Sequence, residues 1–325
     1  MTGVVSGYRL VGRIRAGGMA EVLLGERILD GGGARRVAVK RLLPHLEGEP
    51  RFARALRAEA ALMRRVRHAN VVRAERYVEE RGRGHLILEL VDGIDLAVLR
   101  ARARLRRRAV PEVVAAALMA QAATALDRVH AAGIVHGDVT PGNLLVAMGD
   151  RRGGAGAGRL KLCDFGVAHA IGSAARAPLA ASAPYLAPER ATGDRIAPGD
   201  ERADAWSLGV CAWELLAGRR LFARGDLPST LAAIRLGAPP PLALVRPGVS
   251  PSLAAIVDGA LVADPDRRAS ARAIGDAFAG WLVEHADAEE SDLALWLAAL
   301  DDGRRDDAAP ATAPITAILD DARAA

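Results

Sequence analysis

Lysine is almost missing from this chain. Of 44 Lys and Arg residues only Lys40 and Lys161 are lysines, so arginine carries nearly all the positive charge and each lysine is informative. Cysteine is as scarce: Cys163 and Cys211 stand 48 residues apart, which excludes a disulfide framework and a spaced metal motif and points to a reducing compartment. No apolar run reaches the ~18–20 residues a membrane span needs, since the longest, Val113 to Leu126, is broken by Gln121 and Thr124. The opening MTGVVSGYRL lacks a basic segment followed by an apolar one, the mark of a secretory signal. The expectation is a cytoplasmic protein with no membrane partner.

What is present is the composition of a soluble globular protein, 51% hydrophobic and 26% charged. At 325 residues one core stops growing and two lobes are expected, because single cores rarely exceed about 250–300 residues. Charge is unevenly placed: residues 283–325 hold 11 acids against 3 bases, and residues 1–282 carry a net +13. That imbalance bears on association and solubility rather than on chemistry.

The first 90 residues read as an α+β lobe. Tyr8–Ile14, Glu21–Glu26 and Arg36–Lys40 have strand character, with DGGGARR at 30–36 as a turn, and Pro50 opens a helix to about Arg67 with Phe52, Leu56, Ala60 and Met63 on one stripe. Leu86–Leu90 is a further strand, followed by an acidic turn over Val91–Asp95. The rest reads as mostly helical. Helices are predicted at 113–132, 204–217, 226–236, 252–262 and 270–283, with short strands at 144–146 and 160–163. SDLALWLAAL makes a short amphipathic helix that packs on the large lobe or docks a partner, and 301–325 is too poor in apolar residues to order.

The chemistry sits in three segments. IRAGGMAEV, from Ile14, is a glycine turn between strands in which Gly17 and Gly18 let backbone N–H groups approach phosphate, and Lys40 in VAVK supplies a compact positive charge. Alone, that pattern suits a hairpin turn and a surface lysine better than a phosphate site. VHGDVTPGNLLV places Asp138 and Asn143 on one loop, and LCDFGVAH places Asp164 after a strand. A carboxylate and an amide that converge there are hard oxygen ligands for Mg²⁺, leaving Asp138 to orient an incoming hydroxyl or take its proton.

These segments, with APE at 187–189, DAWSLG at 204–209 and DPDRRAS around Arg268, resemble the protein-kinase signature set and specifically the bacterial eukaryotic-like serine/threonine kinases, over residues 8–283. The resemblance implies a two-lobed α+β kinase fold, with an N-lobe at about 8–90, a C-lobe at about 95–283 and an acidic tail at 284–325. It implies transfer of the γ-phosphoryl group of ATP to serine or threonine of a protein substrate. Lys40 would contact the α- and β-phosphates and pair with Glu59, and Asn143 and Asp164 would hold Mg²⁺. Ile14, Gly17, Gly18, Val22, Ala38 and Leu145 would line the nucleotide site, Glu89 and Val91 would offer backbone groups to adenine, and Leu88 would be the gatekeeper. Glu189 and Arg268 would form a structural ion pair, and His136 would order the catalytic loop.

Three positions depart from that pattern. Arg15 replaces the first loop glycine, and Gly137 replaces the arginine that commonly receives an activation-loop phosphate; the activation segment, 164–189, has Ser173 and Ser182 as its serines and no threonine. Thr140 replaces the lysine that steadies the transferring phosphoryl group. The alternatives are a small-molecule kinase, since HGDVTPGN also resembles the loop of aminoglycoside phosphotransferases, and a pseudokinase scaffold. RARARLRRR at 100–108 is read as a solvated run between two helices, or a patch for the acidic tail; with no interleaved aromatic residue it is not a specific nucleic-acid site. His130 and His169 are read as packing or surface residues. A regulatory partner is expected, if anywhere, at the tail.

Overall fold

The computed structural model of the chain describes residues 3–29, 33–148, 158–165, 181–191, 200–285 and 290–300. The described chain forms two compact units, one comprising residues up to Arg65 and Arg73–Leu90, the other Val66–Val72 and Val91–Leu300. This is the sheet-and-helix plus helical organisation expected from the sequence.

In the first unit six strands, β1 (Val4–Val5), β2 (Tyr8–Ala16), β3 (Ala20–Ile28), β4 (Ala34–Leu42), β5 (Ala74–Glu80) and β6 (Arg83–Glu89), make one antiparallel sheet ordered β1-β2-β3-β4-β6-β5. Alternation sorts its two faces. Val37, Val39 and Ile87 join Val5, Tyr8, Leu10 and Leu23 in a buried cluster. The other face is set by register: Val22 lies opposite Lys40, Lys40 opposite Leu86, and Ala38 opposite Leu88. Helix α1 (Pro50–Arg65) packs on β4, β5 and β6 through Leu56, Ala60 and Met63, with Leu56 and Met63 fully buried. Burial of each of those two side chains contributes about 1.5–3 kcal/mol. The same stripe, one residue before Ala60, carries Glu59.

The second unit begins with β7 (Gly93–Asp95) and α2 (Leu96–Leu105), followed by α3 (Glu112–Ala131), β8 (Leu144–Ala147) and β9 (Leu160–Leu162). After these come α4 (Pro188–Ala191), α5 (Glu201–Ala217), α6 (Leu227–Leu236), α7 (Leu242–Val245), α8 (Pro251–Ala260), α9 (Ala271–Glu284) and α10 (Glu290–Leu300). Strands β7, β8 and β9 form a second antiparallel sheet. Helix α3 is Ala-rich and packs on α5, α9 and β9, and Ala115, Ala116, Ala123 and Leu118 are completely buried. Small residues there let neighbouring helices approach closely. Helix α10 lies against α3 with Leu293, Leu297 and Leu300 buried, so SDLALWLAAL packs on this unit.

Three sequence expectations are corrected. The segment AERYVEE at 74–80 is a strand, hidden because it is a charged edge strand with few buried residues. Val91–Asp95 is not only a turn, since Gly93–Asp95 pairs with β8. The arginine run does not lie between helices: its first half is the end of α2, which Asp95 caps by accepting from the Val98 N–H and which buries Leu96, Leu99 and Ala103. Residues 30–32 of the DGGGARR turn, Gly166, His169, Ser173 and the tail at 301–325 lie outside the described residues. Among the described residues no helix is long and apolar enough to cross a membrane.

Candidate active site

In the first unit Lys40 Nζ donates to Glu59 Oε1 at 2.6 Å. The pairing follows from local rules, since Lys40 sits on the face of β4 that α1 covers and Glu59 on the stripe of α1 that faces the sheet. Both are buried, with side chains 10% and 3% exposed. Breaking a buried pair of this kind from one side is strongly destabilising. Val22 and Ala38 lie on the same face, Val22 half-buried and Ala38 buried and paired opposite Leu88. Ile14 is half-buried near the end of β2, and Gly17 and Gly18 are exposed in the turn that follows. The Gly17 N–H is committed to Ala20 O at 2.8 Å, so in this conformation it closes the turn rather than facing a phosphate. Glu89 ends β6, where its N–H donates to Arg73 O and its carboxylate accepts from the Arg73 N–H.

The second unit holds the loop of Asp138. Its anchor is Asp204 on α5, 1% exposed, whose Oδ2 accepts from the His136 N–H and whose Oδ1 accepts from the Gly137 N–H, each at 2.8 Å. His130 Nε2 lies 3.0 Å from the same Oδ2. A carboxylate so deeply buried is tolerable only with such donors. His130, expected from the sequence to be a packing or surface residue, is a positioning residue for this loop. Gly137 has φ +76°, a conformation that a side chain resists, and this supplies a backbone reason for glycine at this position.

His136 ties the loop to the strand that leads to Asp164. Its Nδ1 accepts from the Asp138 N–H at 3.2 Å, which leaves the proton on Nε2 to donate to Cys163 O at 3.0 Å. Its ring also lies against Phe165, with centroids 5.1 Å apart. Asp164 has φ +56°, in the left-handed region that short polar residues tolerate best. Strand β9 is held from behind: Asn70 Nδ2 donates to Leu160 O and to Gln121 Oε1, and Gln121 Oε1 also accepts from the Leu160 N–H. No sequence pattern announces that hub, because its members are 39 to 90 residues apart. Val91 and Leu145 are half-buried in this unit, Leu145 on β8 opposite Lys161.

Asp138 itself is held at both oxygens. Asn143 Nδ2 donates to its backbone carbonyl at 2.8 Å and to Oδ2 at 3.0 Å, and the Ser182 hydroxyl donates to Oδ1 at 2.6 Å. Ser182 precedes a 3₁₀ turn at Ala183–Tyr185 that is pinned from below. The Tyr185 hydroxyl donates to Glu214 Oε2 at 2.9 Å, and Arg100, Arg220 and the Leu221 N–H converge on the same buried carboxylate. Burial, reinforced by the Glu214 charge, pushes the Tyr185 phenol well above its usual range, so it stays a donor. Arg268, with its side chain fully buried, makes a two-pronged pair with Glu189 at 2.8 and 2.9 Å, the expected structural ion pair.

The residues fit a hard cation. Both Asn143 amide hydrogens are spent on Asp138, which turns the amide carbonyl oxygen the other way, and with the Asp164 carboxylate the donor set is oxygen only, as Mg²⁺ prefers. Among the described residues no cluster of three or more His, Cys, Asp or Glu side chains could hold a metal alone. Phosphate oxygens and water would complete such a shell.

A profile of the family described as Protein kinase domain matches residues 8–277. The chain is 35% identical over 243 residues to the serine/threonine-protein kinase PknA of Mycobacterium tuberculosis, covering 72% of this chain and 52% of that protein. It is 36% identical over 283 residues to the serine/threonine-protein kinase Pkn1 of Myxococcus xanthus, covering 86% and 38%, and 32% identical over 290 residues to the tyrosine-protein kinase MasK of the same species, covering 86% and 43%. The chain thus spans about half the length, or less, of these curated relatives. The crystal structure of the Mycobacterium tuberculosis PknI kinase domain superposes with a TM-score of 0.62 at 27% identity, covering 85% of this chain and 96% of that one. With fold, motif order and relatives in agreement, the chain belongs to the protein kinase family, in its bacterial eukaryotic-like serine/threonine branch.

Proposed function

We propose that the chain is an active cytoplasmic signalling kinase that transfers the γ-phosphoryl group of ATP to a serine or threonine hydroxyl of a protein. One observation carries this reading: Asp138 already accepts a hydroxyl proton donor, Ser182 Oγ, at 2.6 Å, the geometry in which a general base orients a nucleophile. Asp138 orients the incoming hydroxyl, and Asn143 fixes its carboxylate. Lys40, steered by Glu59, meets the α- and β-phosphates; Ile14, Gly18, Val22, Ala38 and Leu145 line the nucleotide, and Glu89 and Val91 meet adenine through backbone groups. Asn143 and Asp164 are the oxygen donors for Mg²⁺, which when bound neutralises phosphate charge.

Gly137 leaves no arginine to receive an activation-loop phosphate, so the loop depends on Asp204 rather than on a phosphorylation switch. Thr140 removes a charge, and the remaining groups still supply the positioning on which phosphoryl transfer rests. The small-molecule reading is disfavoured by the docking segment around Tyr185 and Glu189 and by the relatives. The test is intact mass after incubation with ATP and Mg²⁺, with phosphoamino-acid analysis. Wild type gains mass in phosphate units on serine or threonine and Asp138→Asn does not. No gain in either, with a generic protein substrate also unmodified, overturns the reading in favour of a nucleotide-binding scaffold.

A further inference from the structure

Beside Asp138 lies a recess within the second unit, lined among others by Thr140, Ser182, Tyr185, Ser207 and Arg190. Among the described residues Arg190 is the one cation in its wall. Its Nε is sealed from solvent with no hydrogen-bond partner, and among the described residues its side chain makes no ion pair. A buried guanidinium donor without an acceptor is rare and unfavourable, so such an atom marks a place where an acceptor belongs.

The carboxylates around it are engaged elsewhere. Glu189, the preceding residue, is taken at both oxygens by Arg268. Glu214 receives Tyr185, Arg100 and the Leu221 N–H. Asp138 is held by Asn143 and Ser182, and Asp204 by the loop backbone. Arg190 also cannot drift far, because its backbone N–H bonds to Ala187 O and its short helix is anchored through Glu189. The result is a guanidinium fork in the wall of the recess that contains the hydroxyl-orienting carboxylate, with its Nε left without an acceptor among the described residues.

A carboxylate matches such a fork, accepting from Nε and one terminal nitrogen side by side. Resting on the kinase reading above, we infer that Arg190 is a specificity-determining residue that selects protein substrates with an aspartate or glutamate within two residues of the acceptor hydroxyl. The rival use of Arg190 is to steady the transferring phosphoryl group in place of the charge that Thr140 lacks. The two uses separate kinetically, because one binds a peptide side chain and the other acts on the reacting group.

The test uses the full chain with ATP and Mg²⁺ and serine peptides that differ only in the flanking positions, filled in turn by Asp, Ala or Arg. Wild type shows a KM for the best Asp peptide about tenfold or more below that of its Ala counterpart, the scale of a charge-assisted hydrogen bond. Arg190→Ala collapses that ratio, Arg190→Glu inverts it in favour of Arg peptides, and Arg190→Lys, the variant least disturbing to folding, retains only part of it. Equal KM values for Asp and Ala peptides in wild type overturn the inference. So does a uniform fall in kcat on all peptides in Arg190→Ala with the ratio retained, which assigns the residue to the phosphoryl group. If wild type modifies no peptide, the kinase reading has failed separately, and fluorescence anisotropy of the labelled peptides decides: tighter binding of the Asp peptide, lost in Arg190→Ala, supports the site, and equal binding overturns it.

Discussion

The two units place their key charges by different means. In the sheet unit, Lys40 points where strand alternation and register put it, and Glu59 meets it because α1 covers that face. In the helical unit, Asp138 lies on an irregular loop whose direction no repeating pattern dictates, and its partners come from 5, 44 and, through the loop backbone, 67 and 68 residues away. Regular structure aims a charge by register and periodicity. An irregular loop needs a buried acceptor to replace the hydrogen bonds that a helix or strand would have supplied.

This contrast can be broken at Asp204, where the largest effect is expected. Asp204→Ala strands two backbone N–H groups and the His130 ring, and at roughly 1–3 kcal/mol for each unsatisfied buried donor the loss of stability is about 3 kcal/mol or more. Urea unfolding measures that loss, and phosphate incorporation falls with it. Glu59→Gln sharpens the comparison from the other side. It keeps a hydrogen-bond acceptor on Lys40 while removing the charge, so transfer drops by about 10- to 100-fold, with a stability change smaller than that of Asp204→Ala, which strands three donors at once. Equal destabilisation by the two variants would contradict the distinction.

The smallest expected effect is in pH dependence. His85, buried on β6, has its pKa lowered chiefly by burial, although the Arg83 carbonyl its ring bonds pulls the other way. The unfolded chain therefore takes up this proton near pH 6.5, and the folded chain only at lower pH. The folded state binds fewer protons in that window, so this contribution is intact above about pH 6.5 and stability declines as pH falls below it. Asn at 85 can offer its amide to the Arg83 carbonyl without titrating. A thermal-unfolding series should show a shallower acid decline for His85→Asn than for wild type.

The same contrast explains what the sequence made legible. Strands β2, β3, β4 and β6 and helices α1, α3, α5, α6, α8 and α9 followed from periodicity and punctuation, because each element buries one face or is buried throughout. Strand β5 escaped because its Glu and Arg residues suit an exposed edge, and α2 because six arginines masked the Leu96, Leu99 and Ala103 stripe. At the site, Asp138, Asn143 and Asp164 stand in short contiguous motifs. His130 and the Asn70–Gln121 hub do not, since their roles exist only once distant segments meet. Arg190 follows a recognised motif, yet nothing in the letters announces that its Nε lacks a partner.

Gly158, at φ +78°, turns the chain toward β9 exactly where α10 arrives, and a Cβ there would sit 2.7 Å from Leu293 Cδ2. The family match stops at residue 277, but the packing does not. A truncated protein ending at that boundary would leave the α10-facing side of α3 uncovered and exposed to self-association. Expression boundaries chosen from the motif alone would therefore mistake an integral part of the helical unit for a dispensable tail.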